Sequence, residues 1–508
     1  MNKIFETDIL QPKKSIEIIL CILASTVALL ISYLNLIHHE PWRDELQAFS
    51  LVRNSTSIHQ LIGWVRYEGH PLGWYVFQKI IYHFSTSFIH IQLMQWLFAF
   101  LGLLLFIWKA PFSIYYRIVI AFGYFFMYEY AAIARNYGIA LPFYFLLCIY
   151  FNKKNYLLYG FLILITMQFS LYSFIIAFSI GIFYFLHHRF HKNAVYYLAI
   201  LISMIGIALF KYVVAPPDDI GTSPGWHINP DNYTAAISVI ANGFFPLFKF
   251  NYQFWNSTIF ETILNYNFSQ AVQFIISIYL IFWLIKIFKD NLTVASIFFS
   301  ALTIMLFFIA AKYHGSIRHH GHIYILLLMC FWIQNSTPSN LHIPFKFSEK
   351  TKKRLLIFPD NQLRKIFFLI LFIQLIGSAQ AFYFENKYPF SASLQAANFI
   401  QKNYANSPII GCSDDACTSV AILMNKKIYQ ANTNSFREHL IFNSQRGDII
   451  YDTLLARTNR FFSTHPNGIL LLSKSNSTYD FIHQLPYKII FETTDAIRHD
   501  EAYIIYVK

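Results

Sequence analysis

The chain has 508 residues, of which 56% are hydrophobic, 19% aromatic and only 13% charged, with a mean hydropathy of +0.42. Soluble domains carry about 25% charge, so an ordinary soluble enzyme is excluded. The formal charge of +13 lies mainly between apolar blocks, with no basic face interleaved with stacking aromatics, which argues against nucleic acid as a partner.

The first apolar block, 18–37, is too long for the core of a secretory leader and lacks a small-residue cleavage site after it, so a retained helix is expected. Further blocks follow at 87–108, 113–130, 137–151, 155–169, 170–187, 194–213, 264–286, 293–311, 322–335 and 366–383. A straight span needs about 20 residues. The expected fold is an all-α polytopic membrane protein of about 11 helices, followed by a small C-terminal α/β domain. The His70–Phe84 stretch is short and rich in Trp, Tyr and Phe, and is expected to be an interfacial helix rather than a span.

Basic residues recur on alternate links: Lys13/Lys14, Lys109/Arg117, Lys153/Lys154, Arg189/Lys192, Lys286/Lys289 and the 340–365 run with Lys350, Lys352, Lys353 and Arg354. These are expected on the cytoplasmic side, with the N-terminus inside. The links 38–86, 131–136, Ser170, 214–263 and 312–321, and everything after about 384, then face outward. From Glu385 onward, 11 of the 26 acidic residues occur beside strand-like runs at 468–472, 488–492 and 502–507 and a helical pattern at 394–402. Residues 1–384 therefore read as a transmembrane domain and 385–508 as an extracytoplasmic one.

The first outward loop concentrates Glu40, Asp44, Glu45 and Glu68 around Trp42-Arg43-Asp44-Glu45 and Glu68-Gly69-His70-Pro71-Leu72. Two readings compete. One is a solvated acidic loop with aromatic anchors. In the other, Trp42 and Trp74-Tyr75 hold the loop at the bilayer surface, where a poorly hydrated carboxylate is poised as a base. Arg135, within Ala134-Arg135-Asn136-Tyr137, and Arg318, within Arg318-His319-His320-Gly321-His322, offer forked donors suited to phosphate. Ordinary interfacial hydrogen bonding competes for the histidines, and an ion pair with Glu129 for Arg135. Histidines at 314, 319, 320 and 322 do not match a standard zinc spacing. Cys412 and Cys417 are expected to close a disulfide turn carrying solvated Asp414 and Asp415.

The Trp42 to Glu45, Glu68 to Leu72 and Ala134 to Tyr137 motifs resemble those of GT-C glycosyltransferases. The bacterial branch that includes the lipid A aminoarabinose transferase and the protein O-mannosyltransferases is the most similar. The resemblance spans about residues 15–335 in architecture. It departs from many members in having a single Pro71 after His70. It implies a polyprenyl-phosphate sugar donor, a lipid, glycan or protein acceptor, and transfer on the outer face of the inner membrane. Asp44 matches the catalytic first-loop Asp and would be the base, Glu68 matches the second acidic position and would be its partner or a metal ligand, and Arg135 matches the phosphate-side Arg. The resulting site would have Asp44, Glu45 and Glu68 as catalytic residues and Arg135, Tyr137, Arg318, His319 and His320 on the donor phosphate. Trp42 and His70 would bind substrate, and Glu68 and His322 would be ligands if a divalent metal is used. A transporter or lipid flippase is the rival from another class, and would place its charges mid-span on broken helices.

Overall fold

A computed structural model describes residues 12–188, 193–221, 226, 229–337, 360–447, 449–475, 478–482 and 484–508. Arg189, Lys192, Lys350, Lys352, Lys353 and Arg354 lie outside the described residues. The chain is a helical bundle carrying one small mixed sheet. Its helices run α1 (Lys14–His38), α2 (Arg43–Asn54), α3 (Ile58–Val65), α4 (Gly73–Phe84), α5 (Phe88–Lys109), α6 (Ile114–Ala121), α7 (Leu141–Tyr150), α8 (Tyr156–Met167), α9 (Leu171–His187) and α10 (Ala194–Val214). They continue through α11 (Pro230–Phe244), α12 (Phe260–Ile263), α13 (Tyr266–Phe288), α14 (Leu292–Ala311), α15 (Ile317–Ser336) and α16 (Asp360–Glu385) to α17 (Ser393–Asn403), α18 (Asp414–Leu423) and α19 (Tyr451–Thr464).

All the apolar blocks fall in helical segments. Among the described residues, six helices (α1, α5, α10, α13, α14 and α16) are long and apolar enough to cross a membrane, and α7, α8 and α9 are shorter apolar helices. This is a multi-pass membrane protein. Its outer helices expose apolar side chains, as at Leu23 and Leu30 of α1, each 56% exposed. In α15, by contrast, every residue from Ile317 to Gln334 is buried. That helix is the axis of the bundle, and a ring of neighbours accommodates its four polar N-terminal residues.

Two regions differ from the sequence expectation. The 113–130 block is not one straight helix: α6 ends at Ala121 and a π-helical turn, Phe125–Glu129, follows. Such turns often mark functional regions. Here it buries Glu129, which accepts hydrogen bonds from Tyr124 Oη (2.5 Å) and Trp255 Nε1 (3.0 Å). The 214–263 link contains α11, whose Asn and Ser residues depress its hydropathy. Neighbours meet its polar groups: Ala241 N donates to Ser277 Oγ (3.0 Å) and Phe244 O accepts from Gln374 Nε2 (3.3 Å). Helix α4 does form, and its 12 residues reach only about 18 Å, too short to span.

Beyond α16 the element type changes. Strands β1 (Ile409–Cys412), β2 (Ile428–Gln430), β3 (Ser435–Arg437), β4 (Ile469–Ser473), β5 (Lys488–Glu492) and β6 (Tyr503–Val507) form one sheet in the order β3-β2-β1-β4-β6-β5. β1 runs parallel to β2 and β4, while β6 is antiparallel to β4 and β5. Alternating side chains feed two apolar layers: Ile409, Cys417 and Leu471 in one, Ile410, Cys412 and Leu470 in the other. This separation corrects the disulfide expectation. Cys412 and Cys417 are free thiols in different layers, and Cys417 Sγ donates to Leu471 O instead (3.4 Å). Asp414 is not solvated either: it is fully buried and accepts from both Nε and Nη2 of Arg446 at 2.8 Å, while the half-buried Asp415 lines a cavity.

Candidate functional site

The links expected to share one face meet in one place. The site begins at the N-terminus of α2. Trp42 O accepts the first helical bonds from Glu45 N and Leu46 N, and Trp42 N donates to Glu45 Oε2 (3.1 Å). Glu45 thus turns back into the protein. Its Oε2 also accepts from His39 Nε2 (2.9 Å) and its Oε1 from Ala134 N (2.5 Å), while His39 Nδ1 donates to Glu385 Oε1 (2.8 Å). Burial alone would push the His39 imidazole down, but the Glu45 and Glu385 carboxylates outweigh it and lift it to about 10. This network fastens α1, α2, the 130–137 segment and α16 together, and leaves Asp44 facing a cavity.

Two arginines converge on Asp44 from distant parts of the chain. Arg318 Nη2, in the first turn of α15, donates to Asp44 Oδ2 (3.2 Å). Arg135 Nη1 donates to Asp44 O (2.6 Å), and its Nη2 lies 3.8 Å from Oδ2. Arg135 therefore pairs with Asp44 and not with Glu129. Burial raises the Asp44 carboxyl, yet Arg135, Arg318, Arg43 and Arg498 together hold it down at about 2. Arg318 also lies over the rings of Trp42 (5.1 Å) and Trp255 (5.4 Å), which restrict the guanidinium. Nε and Nη1 of Arg318 and Nε of Arg135 are buried donors with no hydrogen-bond partner. Buried N–H groups are rarely left unpaired, so these three have hydrogen-bonding capacity that the protein itself does not use.

Glu68 and His70 enter the same cavity from the α3 to α4 link. Gly69 separates them at φ +67°, a left-handed turn that favours glycine. Glu68 Oε1 accepts from Gln47 Nε2 (2.9 Å). Burial pushes the Glu68 carboxyl up, partly countered by that hydrogen bond and by Arg135, to about 7. His70 is driven down to about 3 by burial and by Arg135, so it stays neutral and its Nε2 faces Arg135 Nη2 at 3.4 Å. On α15, Ser316 N donates to His319 Nδ1 (2.9 Å). In neutral His319 the proton is then on Nε2, which donates to Tyr137 Oη at 2.9 Å.

The cavity has a volume of about 630 Å³. Asp44, Glu68, Arg135, Arg318, His70 and His319 line it, with Tyr137 beside them. The sheet region closes it with Asp415, Leu440, Phe442 and Arg446. Arg43 bridges bundle and sheet, pairing with Asp415 and Asp500 at 3.0 Å each.

Four expected site residues lie elsewhere. Glu45 is fully buried with both oxygens committed, and Trp42 packs beneath Arg318; neither lines the cavity. His320 Nε2 is bonded to His314 O (3.1 Å), and His322 Nδ1 faces Tyr130 Oη and His319 O at 3.1 Å each. His320 points to another face of α15, whereas His322, one turn after Arg318 and His319 on the same face, sits deeper, its ring against Tyr137 (5.3 Å) and Tyr172 (5.0 Å). Among the described residues, no group of three or more His, Cys, Asp or Glu side chains is arranged to hold a metal ion. Of the two residues expected as metal ligands, Glu68 lines the cavity and His322 does not. Sequence reasoning missed Gln47 and Arg446. Neither belongs to a recognisable motif, although Arg43 was visible inside one.

No family model and no curated protein matches this sequence. Among solved structures, ArnT from Cupriavidus metallidurans in the apo state aligns with a TM-score of 0.52 and 10% identity, covering 96% of this chain and 97% of that one. The same protein bound to undecaprenyl phosphate aligns over the same shares, with a TM-score of 0.48 and 9% identity. This chain shares the fold of ArnT.

Proposed function

We propose that this protein is an integral-membrane glycosyltransferase that moves a sugar from a polyprenyl-phosphate donor to an acceptor hydroxyl on the outer face of the inner membrane. The observation that carries this reading is the convergence of Arg135 and Arg318, with three unpaired buried N–H groups, beside Asp44 and Glu68 in one cavity. A phosphate diester offers the acceptor oxygens those donors lack. Val214, Pro216, Trp226 and Phe308 give the cavity an apolar wall fit for an isoprenoid chain, and the ArnT that shares this fold was crystallised with undecaprenyl phosphate.

The two carboxylates divide the work. Sequence analysis gives the base role to Asp44, but a carboxylate held at about 2 by arginines is a weak proton acceptor. Glu68, at about 7, is matched to neutral pH. In the proposed reaction the acceptor oxygen attacks the anomeric carbon with inversion, and its proton passes to Glu68. The bond from that carbon to the phosphate oxygen breaks, and the electron pair leaves on the polyprenyl phosphate held by Arg135 and Arg318. Asp44 keeps the two arginines in register until phosphate engages them. Residues 385–508 act as the extracytoplasmic acceptor-side wall.

The test is binding of undecaprenyl phosphate to detergent-solubilised protein. The wild type should bind, and Arg135→Ala combined with Arg318→Ala should lose binding while keeping its melting temperature. Equal binding by both proteins would overturn the site assignment. Vesicle flux of a solute or lipid without sugar transfer would establish the transporter instead.

A further inference from the structure

The segment 438–446 leaves the sheet and lies across the bundle as a strap. Glu438 pairs with Arg53 of α2 (3.5 Å), and the His439 ring packs on Trp64 of α3 (4.7 Å between centroids). Further on, Gly221 N donates to Phe442 O (3.0 Å) and Ser444 N to Asp219 O (2.7 Å), forming a short antiparallel bridge to the link after α10. Leu440, Phe442 and Arg446 of this strap face the cavity. The strap is thus a wall of the site supplied by the sheet region, and it is held mainly by main-chain bonds.

Where the strap crosses α2 it meets Gln47, which is buried (6% exposed). The Gln47 amide pairs with the Leu440 peptide in both directions: Nε2 donates to Leu440 O (2.9 Å) and Oε1 accepts from Leu440 N (3.0 Å). The second Nε2 proton goes to Glu68 Oε1 (2.9 Å). One side chain therefore joins the strap backbone to the carboxylate. If the strap lifts, Gln47 loses both bonds to Leu440, and its Oε1 keeps only the long bond from Ser50 Oγ (3.5 Å). The reciprocal pairing also sets the amide orientation, because a flipped amide would oppose two donors and two acceptors.

We infer that Gln47 is a positioning residue that couples seating of the 438–446 strap to the Glu68 carboxylate, so that the proton acceptor is fully aligned only when the cavity is closed. This rests on the reading of Glu68 given above. The charged and titratable groups around Glu68 are Asp44 from α2, Arg135 from the 130–137 segment and Tyr75 from α4. His70 is close in the chain, and Arg318 and His319 from α15 and Arg446 from the strap share the cavity. Strap movement would carry Arg446 away from the cavity and, through Leu440, release the Gln47 amide that donates to Glu68. That Gln47 bond favours the ionised carboxylate.

Two variants test the coupling in the full-length protein, with sugar transfer from a polyprenyl-phosphate donor measured against pH. Gln47→Leu should lower kcat about tenfold and move the acid limb of kcat/KM upward by about one pH unit, because a carboxylate that loses a hydrogen bond holds its proton more tightly. Binding of undecaprenyl phosphate should be unchanged. Gly221→Ala leaves Gln47 and Glu68 intact but puts a Cβ 2.3 Å from Asn443 O, which forces the strap away. It should move the limb in the same direction. An unmoved limb in folded Gln47→Leu would overturn the proposal, and so would a moved limb in Gln47→Leu with an unmoved one in Gly221→Ala. A fully active Glu68→Gln would instead remove the functional reading beneath it, so the two failures are distinguishable.

Discussion

Asp44 and Glu45 are neighbours in the chain and in the same helical turn, yet they belong to two different regions. Glu45 is sealed in a network with His39, Glu385 and the Ala134 amide, with no opening to the cavity. Asp44 faces that cavity, with its side chain 28% exposed, and shares its charge among arginines that have donors to spare. Glu68, from another link, faces the same space with a much higher proton affinity. The difference shows that carboxylates in one acidic loop take their roles from partners and burial, and that clustering in sequence does not assign them. The sealed network builds the site, and the open one is equipped to react.

The comparison can be broken most severely at Glu68. Glu68→Gln should lower sugar transfer about 10²- to 10⁴-fold, the usual cost of losing a general base, with an unchanged melting curve. Loss of folding in place of loss of rate would move Glu68 into the sealed class. Glu45→Gln should do the reverse and cost about 3–5 kcal/mol of stability, as expected when one partner of a buried ion pair is removed, read as a lower melting temperature in detergent. The same network sets a pH dependence. The His39 imidazole is raised from 6.5 to about 10, so its contribution to stability is complete below about pH 6.5 and is lost as the pH climbs toward 10. Melting temperature should fall over that window in the wild type and less so in His39→Gln.

Smaller effects sharpen the division within the cavity. Arg318→Lys keeps the charge but loses the planar fork. Hydrogen bonds to charged groups contribute about 1.5–3 kcal/mol, so donor KM should rise about 10- to 100-fold. An unchanged KM would detach Arg318 from the phosphate. Asp44→Asn should slow transfer by misplacing the arginines while keeping the acid limb near pH 7, because that limb belongs to Glu68. Disappearance of the limb in Asp44→Asn would return the base role to Asp44.

Much of this molecule was legible in its sequence because apolar length reports directly on membrane helices. The strand-like runs at 468–472, 488–492 and 502–507 match β4, β5 and β6 almost to the residue. β1, β2 and β3 were missed: they are only three or four residues long, and the alternation that marks a strand needs more. Helix α11 was hidden because its polar residues are satisfied by neighbouring helices, which composition alone does not reveal. In the site, Asp44, Glu68, His70, Arg135, Tyr137, Arg318 and His319 were visible because charge beside an apolar block is costly and stands out. Gln47 was invisible, since an uncharged amide in an amphipathic helix has no such mark. Trp42, Glu45, His320 and His322 lie off the cavity lining because position in a motif does not say how deep a side chain sits or which way it turns.

In the proposed reaction this cavity transfers sugar from a polyprenyl phosphate with Glu68 as the proton acceptor. The most direct measurement is the pH profile of kcat/KM for that transfer in vesicles, comparing the wild type with Glu68→Gln. Glu68 must be deprotonated to act, so the wild-type rate should rise with pH through a midpoint near 7. Glu68→Gln should be slower throughout and lack that limb. A folded Glu68→Gln protein with the wild-type rate and limb would contradict the account.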